Sequence, residues 1–428
     1  MTANAHSCAF ARPELSNSKP ALMLFNSRAR CRDFELAINY AEFNCACLSE
    51  RSLMPRKTDG GSSHSVSRGG TSLAGLRNQI DRLDQHILKL INERAELAVA
   101  IGKVKQDQAA DIFSPAREEE VIQNVLTSND GPLDPLTIRA IYREIMSGSR
   151  AIQRMMKIAY LGGEYSFSHL AVLERFGQSF ESVRVNSIAA VFEEVNCKHA
   201  DIGVVPLENS TDGRVADTLE MFIRLPHIRI CSEIRLRVHH HLLANCDQPE
   251  IRRIYSKGNA LSQCRNWLSK NVPHATQHEV ASTADAARLA QSEPGAAAVA
   301  SRQAAVRYGL RILFENIEDS PHNETRFAVI GSQAVAKTGN DKTALMFKVT
   351  HKPGSLVDAL SLFKLNKINL TWIESFPART QKMEYIFFVD FEGHIDDPKV
   401  SKCLKALQAQ CEMLTILGSF PAAPISGD

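Results

Sequence analysis

Two interruptions of apolar pattern carry the chemistry this sequence can offer. The first is the run VVPLENSTDGRV at 204–215. There an apolar strand ending, Val204 to Leu207, delivers a carboxylate, an amide and two hydroxyls at Glu208, Asn209, Ser210 and Thr211. Such a cluster serves either a turn, in which the Asx side chain caps the next helix, or a pocket for a small oxygen-rich anion. The second is Arg94. It sits in the series Leu76, Ile80, Leu83, Ile87, Leu90, Arg94, Leu97, Ile101 and Val104, whose alternating spacings of four and three make an a/d heptad seam. A buried guanidinium without an anion is very costly. Arg94 therefore makes a salt bridge inside a bundle, fixes the register of the seam, or meets an anionic ligand. Lys105 falls about 20° away around the same helix, so both cations point the same way.

A third helix repeats the anomaly. Ile138, Ile141 and Ile145 form an apolar stripe that Ser149 and Gln153 continue. Either these are solvated groups at a fraying end, or they line a bundle interior with Arg94 and Lys105. Arg117 and Glu118, just after Pro115, add another cation and an acid. A cavity of this kind suits a small ligand with more than one carboxylate.

The elements that position these groups follow from period and punctuation. The seam predicts a helix of about 35 residues, roughly 50 Å long, too long to bury its stripe inside one small domain, so a partner chain is expected. Further helices are expected over Pro115–Leu126, with proline at the start, and from Asp134, as N-cap, to Met155. These make up an all-α domain at 71–156. Residues 157–335 alternate strands (Ile158–Leu161, Ile202–Pro206, Arg229–Leu236, Ala297–Ser301, Phe327–Ile330) with helices (His169–Phe176, Ile188–Cys197, Leu261–Ser269, Thr283–Ala290). This is an α/β domain large enough for two lobes. Residues 341–420 read strand, helix, strand, strand, helix, strand, an α+β ferredoxin-like unit, followed by a tail at 421–428. Residues 1–70 show no sustained period and end in GGSSHSVSRGG, flexible by composition. They are expected to be a disordered, targeting or spurious N-terminal extension without a function of their own.

Composition sets the outer bounds. At 428 residues, 44% hydrophobic and 23% charged, the chain reads as an ordinary soluble protein of several domains. A net charge of +2 gives no reason to expect nucleic acid or a membrane surface as partner, and no apolar run approaches the length of a membrane span. The ten cysteines lack zinc spacing and read as free thiols in a reducing cytoplasm. Of the HHH at 239–241, at most two residues can share a ligand on a strand; no metal and no cofactor are expected.

The segments LRNQIDRLDQHILKLINERAELAVAIGKVK (76–105), SPAREEEVI (114–122) and IYREIMSGSRAIQ (141–153) resemble the all-helical chorismate mutases. The resemblance implies an entwined dimer that rearranges chorismate to prephenate without a cofactor. It implies that Arg94, and Arg77 from the other chain, bind the carboxylates. Lys105 and Gln153 would bond the ether oxygen and Glu118 the ring hydroxyl, with Arg117 and Ser149 completing the site. Ser114 stands where the family has aspartate before the proline. A fixed ammonium suits this reaction, because breaking the ether bond puts negative charge on its oxygen.

A second set, AYLGGEYSFSHLA (159–171), VVPLENSTDGRV (204–215), YSKGNALSQC (255–264) and NETRFAVIG (323–331), resembles prephenate dehydratase, a fold of two α/β lobes in outline like periplasmic solute-binding proteins. The resemblance makes Thr325 the proton donor to the departing hydroxide. Asn209, Ser210, Thr211, Ser256, Gln263, Arg326 and Phe327 would line the prephenate cleft. Gly163, Tyr165 and Lys257-Gly258 depart from the family pattern. Finally, HKPGSLVDALSLFKLNKINLTWIESFP (351–377) resembles an ACT regulatory domain, which implies a phenylalanine site from Pro353, Gly354, Ser355, Leu356, Glu374 and Ser375 at a dimer interface. Phe376 replaces the usual arginine there.

The chain is thus expected to be a bifunctional, phenylalanine-inhibited enzyme of even oligomeric state. One rival is a single-activity enzyme with a helical dimerisation arm; the set Arg94, Lys105, Arg117, Glu118 and Gln153 argues against it. Another is an amino-acid sensor on a solute-binding fold; Thr325, Ser256 and Gln263 favour catalysis.

Overall fold

The computed structural model describes residues 72–107, 113–379, 383–423 and 425–426; the expectation for residues 1–70 lies outside them. The heptad stretch forms helix α1 (Leu73–Asp107), 35 residues in which leucine, isoleucine and alanine are the commonest. Helix α2 (Pro115–Thr127) starts on proline, whose missing N–H is not needed at that position. Helix α3 (Pro135–Gln153) is capped by Asp134, whose Oδ1 accepts from the Leu136 and Thr137 amides at 2.9 Å each. The α1 seam is not covered by its own chain. Leu76, Ile80, Leu83, Ile87, Leu90, Leu97, Ile101 and Val104 remain 46–67% exposed. Full burial of such a side chain is worth about 1.5–3 kcal/mol.

Two α/β lobes follow. The first holds β1 (Lys157–Leu161), α4 (Phe167–Phe176), β2 (Glu181–Val185), α5 (Ile188–Asn196), β3 (Ile202–Asn209), β4 (Gly213–Arg214), α6 (Ala216–Arg224) and β5 (Arg229–Arg237). The second holds β6 (His241–Ala244), β7 (Arg253–Ser256), α7 (Gly258–Gln263), α8 (Arg265–Asn271), β8 (Thr276–Glu279), α9 (Thr283–Ser292), β9 (Ala296–Ala300), α10 (Arg302–Tyr308) and β10 (Arg311–Phe314). The chain then returns to the first lobe through β11 (Glu324–Gly331), which lies antiparallel between β3 and β5. Strands β2, β1 and β3 are parallel, joined by α4 and α5. The second sheet runs β10-β6-β9-β7-β8. Its central strand AAAVA is fully buried, and its small side chains let α9 and α10 pack close through Ala286, Ala287, Ala290, Ala304 and Ala305. The single helix expected over Leu261–Ser269 is two short ones, broken at Cys264 (φ −113°, ψ 12°).

The C-terminal region is β12 (Asp341–Val349), α11 (Ser355–Leu365), β13 (Leu370–Arg379), β14 (Met383–Glu392), α12 (Pro398–Gln410) and β15 (Cys411–Pro421), with a final short strand β16 (Ile425–Ser426) added to β5. Its sheet order, β13-β14-β12-β15, is that of a βαββαβ ferredoxin-like unit. Side chains alternate across this sheet. Leu345, Phe347, Val389 and Phe391 pack under its helices, while Met346, Phe376, Phe388 and Phe420 share a core with Val205, Leu207, Phe222 and Ile230 of the first lobe. Phe376 thus stands at a buried junction where an arginine would need an anion. Gly418 marks the closest approach: a Cβ there would lie 2.1 Å from the Ile230 carbonyl oxygen.

Candidate functional site

Two polar groupings lie in separate parts of the chain. In the helical segment, Arg94 Nη1 donates to Ser149 Oγ at 2.7 Å, and Ser149 Oγ donates in turn to the Ile145 carbonyl at 2.7 Å. Gln153 Nε2 donates to the Ser149 carbonyl at 3.1 Å. Gly102 lets α1 close on this face of α3: a Cβ there would lie 2.8 Å from Gln153 Cγ. Arg94, Ser149 and Gln153, from two helices, therefore gather in agreement with their spacing, with half-buried Lys105 on the same α1 face, one turn beyond Gly102. Arg77 is exposed and lies roughly 25 Å back along α1, so one chain cannot bring it to this group.

Helix α2 does not join them in the single chain, where Glu118 and Arg117 have other partners. The Glu118 carboxylate, 9% exposed, is held by Arg150 on one oxygen and by Arg175 of α4 at 2.8 Å on the other. It neutralises the buried Arg150 and the partly buried Arg175, and so ties the helical segment to the first lobe. Arg117 turns outward and pairs with Glu120 at 2.7 Å, 64% exposed. Ser114 occupies the N-cap of α2 without capping it through its side chain.

The second grouping forms where β3 ends and β11 begins. Thr325 and Asn209 are register partners, and Asn209 Nδ2 donates to Thr325 Oγ1 at 2.8 Å and to Asn323 Oδ1 at 3.0 Å. Asn209 Oδ1 accepts from the Thr211 and Asp212 amides at 2.9 and 3.0 Å. The Asx turn and the polar site are thus the same structure. Gln263, 8% exposed at the end of α7, donates to Asp212 Oδ2 at 2.8 Å and to Asn209 Oδ1 at 3.3 Å. A pocket of about 150 Å³ opens beside this network, lined by Thr211, Gln263, Glu318, Asp319 and Asn323 among others.

Four expected members of this site do other work. Ser210 accepts from the Glu324 amide and donates to the His322 carbonyl, at 2.9 and 2.8 Å, fastening the segment that carries Asn323 and Thr325. Ser256 is fully buried and donates to the Val299 carbonyl at 2.6 Å, closing β7 onto β9. Phe327 is 2% exposed in the core of Ile158, Tyr160, Phe176 and Val204. Arg326 faces away from Thr325, as strand alternation requires. It pairs with Glu233 at 2.9 Å and with Asp390 of β14, and it lies over Trp372 at 5.8 Å. Glu208, on the same face, is 3.9 Å from Arg326, and burial raises its carboxyl. The alternation of the TRF triplet carries the signal that Arg326 is turned away from Asn209's site, while Phe327, on Thr325's face, lies one pair further into the core.

The three histidines have separate partners. His239 Nδ1 lies 2.7 Å from Glu318, His240 Nε2 lies 2.9 Å from Gln263 Oε1, and His241 Nδ1 accepts from the Asn316 amide at 3.2 Å. Among the described residues no cluster is arranged to hold a metal ion, and no helix is long and apolar enough to cross a membrane. Tyr165, in place of the family's glycine, adopts φ 63° and is pinned by donating its N–H to His169 Nδ1 at 3.0 Å. In the C-terminal unit, Pro353 and Gly354 are exposed at the start of α11, while Glu374 pairs with Arg214 of β4.

Comparison with known proteins agrees with this division. The chorismate mutase type II family model matches residues 76–154 and the prephenate dehydratase model residues 158–335. A bifunctional chorismate mutase/prephenate dehydratase of Aquifex aeolicus (strain VF5) is 43% identical over 356 residues, covering 82% of this chain and 98% of that protein. Among solved structures, a prephenate dehydratase from Arthrobacter aurescens in complex with L-Phe gives a TM-score of 0.58 at 28% identity, over 63% of this chain and 93% of that one. A solved quorum-quenching acylase gives 0.56 at 29% identity, over 63% and 98%. With a relative this similar along nearly its whole length, the chain belongs to the bifunctional chorismate mutase/prephenate dehydratase family.

Proposed function

We propose that the two activities reside in the two polar groupings, with the C-terminal unit as their regulator. The chain converts chorismate to prephenate and prephenate to phenylpyruvate. In the first reaction an ether C–O bond breaks as a C–C bond forms, and the substrate's two carboxylates need cations. Arg94 meets one of them and Arg77 of a second copy the other, while Lys105 and Gln153 bond the ether oxygen as it gains charge. Ser149 holds Arg94 in place, and Ser114 sits at the rim. The half-exposed apolar seam of α1 supports a second copy as the missing wall, so the working unit is a homodimer or a higher even assembly.

In the second reaction prephenate loses CO₂, and the ring hydroxyl leaves as water after taking a proton, driven by aromatisation. The observation that carries this reading is the hydrogen bond from Asn209 Nδ2 to Thr325 Oγ1 at 2.8 Å. It occupies a lone pair of the threonine oxygen and leaves its proton to be donated, to the departing hydroxyl. Thr211 and Gln263 line the same site with neutral groups. Neutral donors suit a decarboxylation, because a tight ion pair to the leaving carboxylate would stabilise the ground state. L-Phenylalanine, bound by the Arthrobacter relative, is the effector, held by the α11 N-terminus (Pro353 to Leu356) and Glu374-Ser375 of an ACT-type domain. The free thiols of Cys197, Cys246, Cys264, Cys403 and Cys411 support a cytoplasmic setting.

The test is a crossed assay on the full chain. Lys105→Ala lowers mutase turnover by about 10²–10³-fold and leaves dehydratase turnover unchanged. Thr325→Ala lowers dehydratase turnover by about 10²–10⁴-fold and spares the mutase. Equal loss of both activities in either variant rejects the assignment.

A further inference from the structure

We propose that His240 is a positioning residue for the dehydration step: through Gln263 and Asn209 it fixes the direction in which the Thr325 hydroxyl donates its proton. The inference rests on the dehydratase reading above and deepens it.

The direction of the network can be worked out from its fixed ends. Asp212 Oδ2 can only accept, and it lies 2.8 Å from one end of the Gln263 amide, so that end is the NH₂. The other end is then Oε1, and it accepts twice: from Asn323 Nδ2 at 2.8 Å and from His240 Nε2 at 2.9 Å. A ring nitrogen that faces an acceptor must carry hydrogen, so His240 is the Nε2–H tautomer. At the far end, two backbone amides donate to Asn209 Oδ1, which places Asn209 Nδ2 toward Asn323 Oδ1 and Thr325 Oγ1. Every amide in the chain of contacts is thereby set one way round, and Thr325 is an acceptor within it. Its own proton is the one left over, and an oxygen that already accepts a hydrogen bond donates more strongly.

His240 is built to hold this end still. It is 2% exposed. Its backbone N–H donates to Glu318 Oε2 at 2.9 Å and its carbonyl accepts from the Ile317 amide at 2.8 Å. The Phe167 ring meets it edge-on at 5.3 Å between centroids. Glu318, His239 and Asp212 are the charged or titratable groups around it, and burial, the largest influence, holds the imidazole below its usual pKa and so neutral. Among the described residues its buried Nδ1 has no hydrogen-bond partner.

The experiment compares two amides in the full-length protein. In His240→Gln the amide nitrogen reaches the place of Nε2; in His240→Asn it reaches only as far as Nδ1. Mutase turnover in the same preparations reports folding. The expected result is a fall in dehydratase kcat of about 10- to 100-fold for His240→Asn, the effect of leaving a buried group underpaired, with KM little changed and most of kcat regained in His240→Gln. Equal losses in the two variants, or no loss in His240→Asn, overturn the proposal. Absence of prephenate turnover in the unmodified protein would instead remove the dehydratase reading itself.

Discussion

In the helical segment, Arg94, Ser149 and Gln153 sit on a face whose apolar neighbours stay half exposed, and Arg77 is roughly 25 Å away along the same helix. Around Thr325 the amides of Asn209, Gln263 and Asn323 are bonded to one another within a single chain. The first arrangement is charged and unfinished; the second is largely neutral and self-contained. The contrast follows from chemistry. A developing oxyanion is stabilised by fixed cations, which a long helix displays but cannot enclose. A proton delivered in a set direction needs a network whose donors and acceptors are settled before the substrate arrives. One site should therefore depend on assembly and the other should not.

Leu90→Glu attacks that difference most directly. It puts a carboxylate into the middle of the seam, where Leu90 is 52% exposed in the single chain. Sedimentation should show a smaller assembly. Mutase turnover should fall by about 10³-fold as the second copy's Arg77 is lost, with dehydratase turnover kept. Full mutase activity in a dissociated protein would show that one chain suffices.

The second site is self-contained in its contacts but braced from outside. Arg326, next to Thr325 on β11, pairs with Glu233 and Asp390, and Lys342 pairs with Glu233 at 2.9 Å. Glu233 and Asp390 are each 2% exposed. Arg326→Met leaves them with Lys342 alone and should destabilise the protein by about 3–4 kcal/mol, the range for breaking a buried pair from one side. Denaturant titration measures this. A loss below about 1 kcal/mol would place the pair among exposed ones and remove the brace.

Much of this architecture is legible in the sequence. The seam, the polar residues ending β3 and β11, and the βαββαβ order of the C-terminal unit all show as breaks in, or repeats of, a period. What stays hidden depends on pairs far apart along the chain. Glu118 meets Arg150 and Arg175, 32 and 57 positions away, and nothing local marks a carboxylate that will neutralise them. Ser256 is ambiguous by nature, because a hydroxyl at a strand end looks alike whether it faces a cleft or a neighbouring carbonyl. Arg326 is legible, since alternation separates it from Thr325, but the family triplet groups all three residues as one unit. Phe376 makes sense only because the C-terminal sheet buries both faces.

Acid should separate the regions again, more gently. Burial holds His169, in the first lobe, down to a pKa of about 4, against 6.5 for the free side chain. Between those values the unfolded chain binds the proton and the folded chain does not. Stability is therefore complete above about pH 6.5 and falls as pH drops toward 4. His169→Asn keeps an acceptor for the Tyr165 amide but cannot titrate. Unfolding measured at pH 7 and pH 4.5 should show a pH-dependent loss about 2–3 kcal/mol smaller in the variant. Equal losses would mean that His169 is already solvated in the native protein.

The smallest effect decides what Glu374 is for. In the single chain it pairs with Arg214, two partly exposed groups at 39% and 24%, and such pairs add less than about 1 kcal/mol to stability. As a ligand for the effector's ammonium it would matter more to inhibition than to folding. Glu374→Gln should raise the phenylalanine concentration for half-inhibition by about tenfold, in line with a charged hydrogen bond, at an unchanged basal rate. Arg214→Gln frees the same carboxylate, so inhibition should hold or tighten. These two variants remove opposite ends of one ion pair. If both weaken inhibition by the same factor, the pair itself transmits the signal from β13 to the loop after Asn209, and Glu374 does not face the effector.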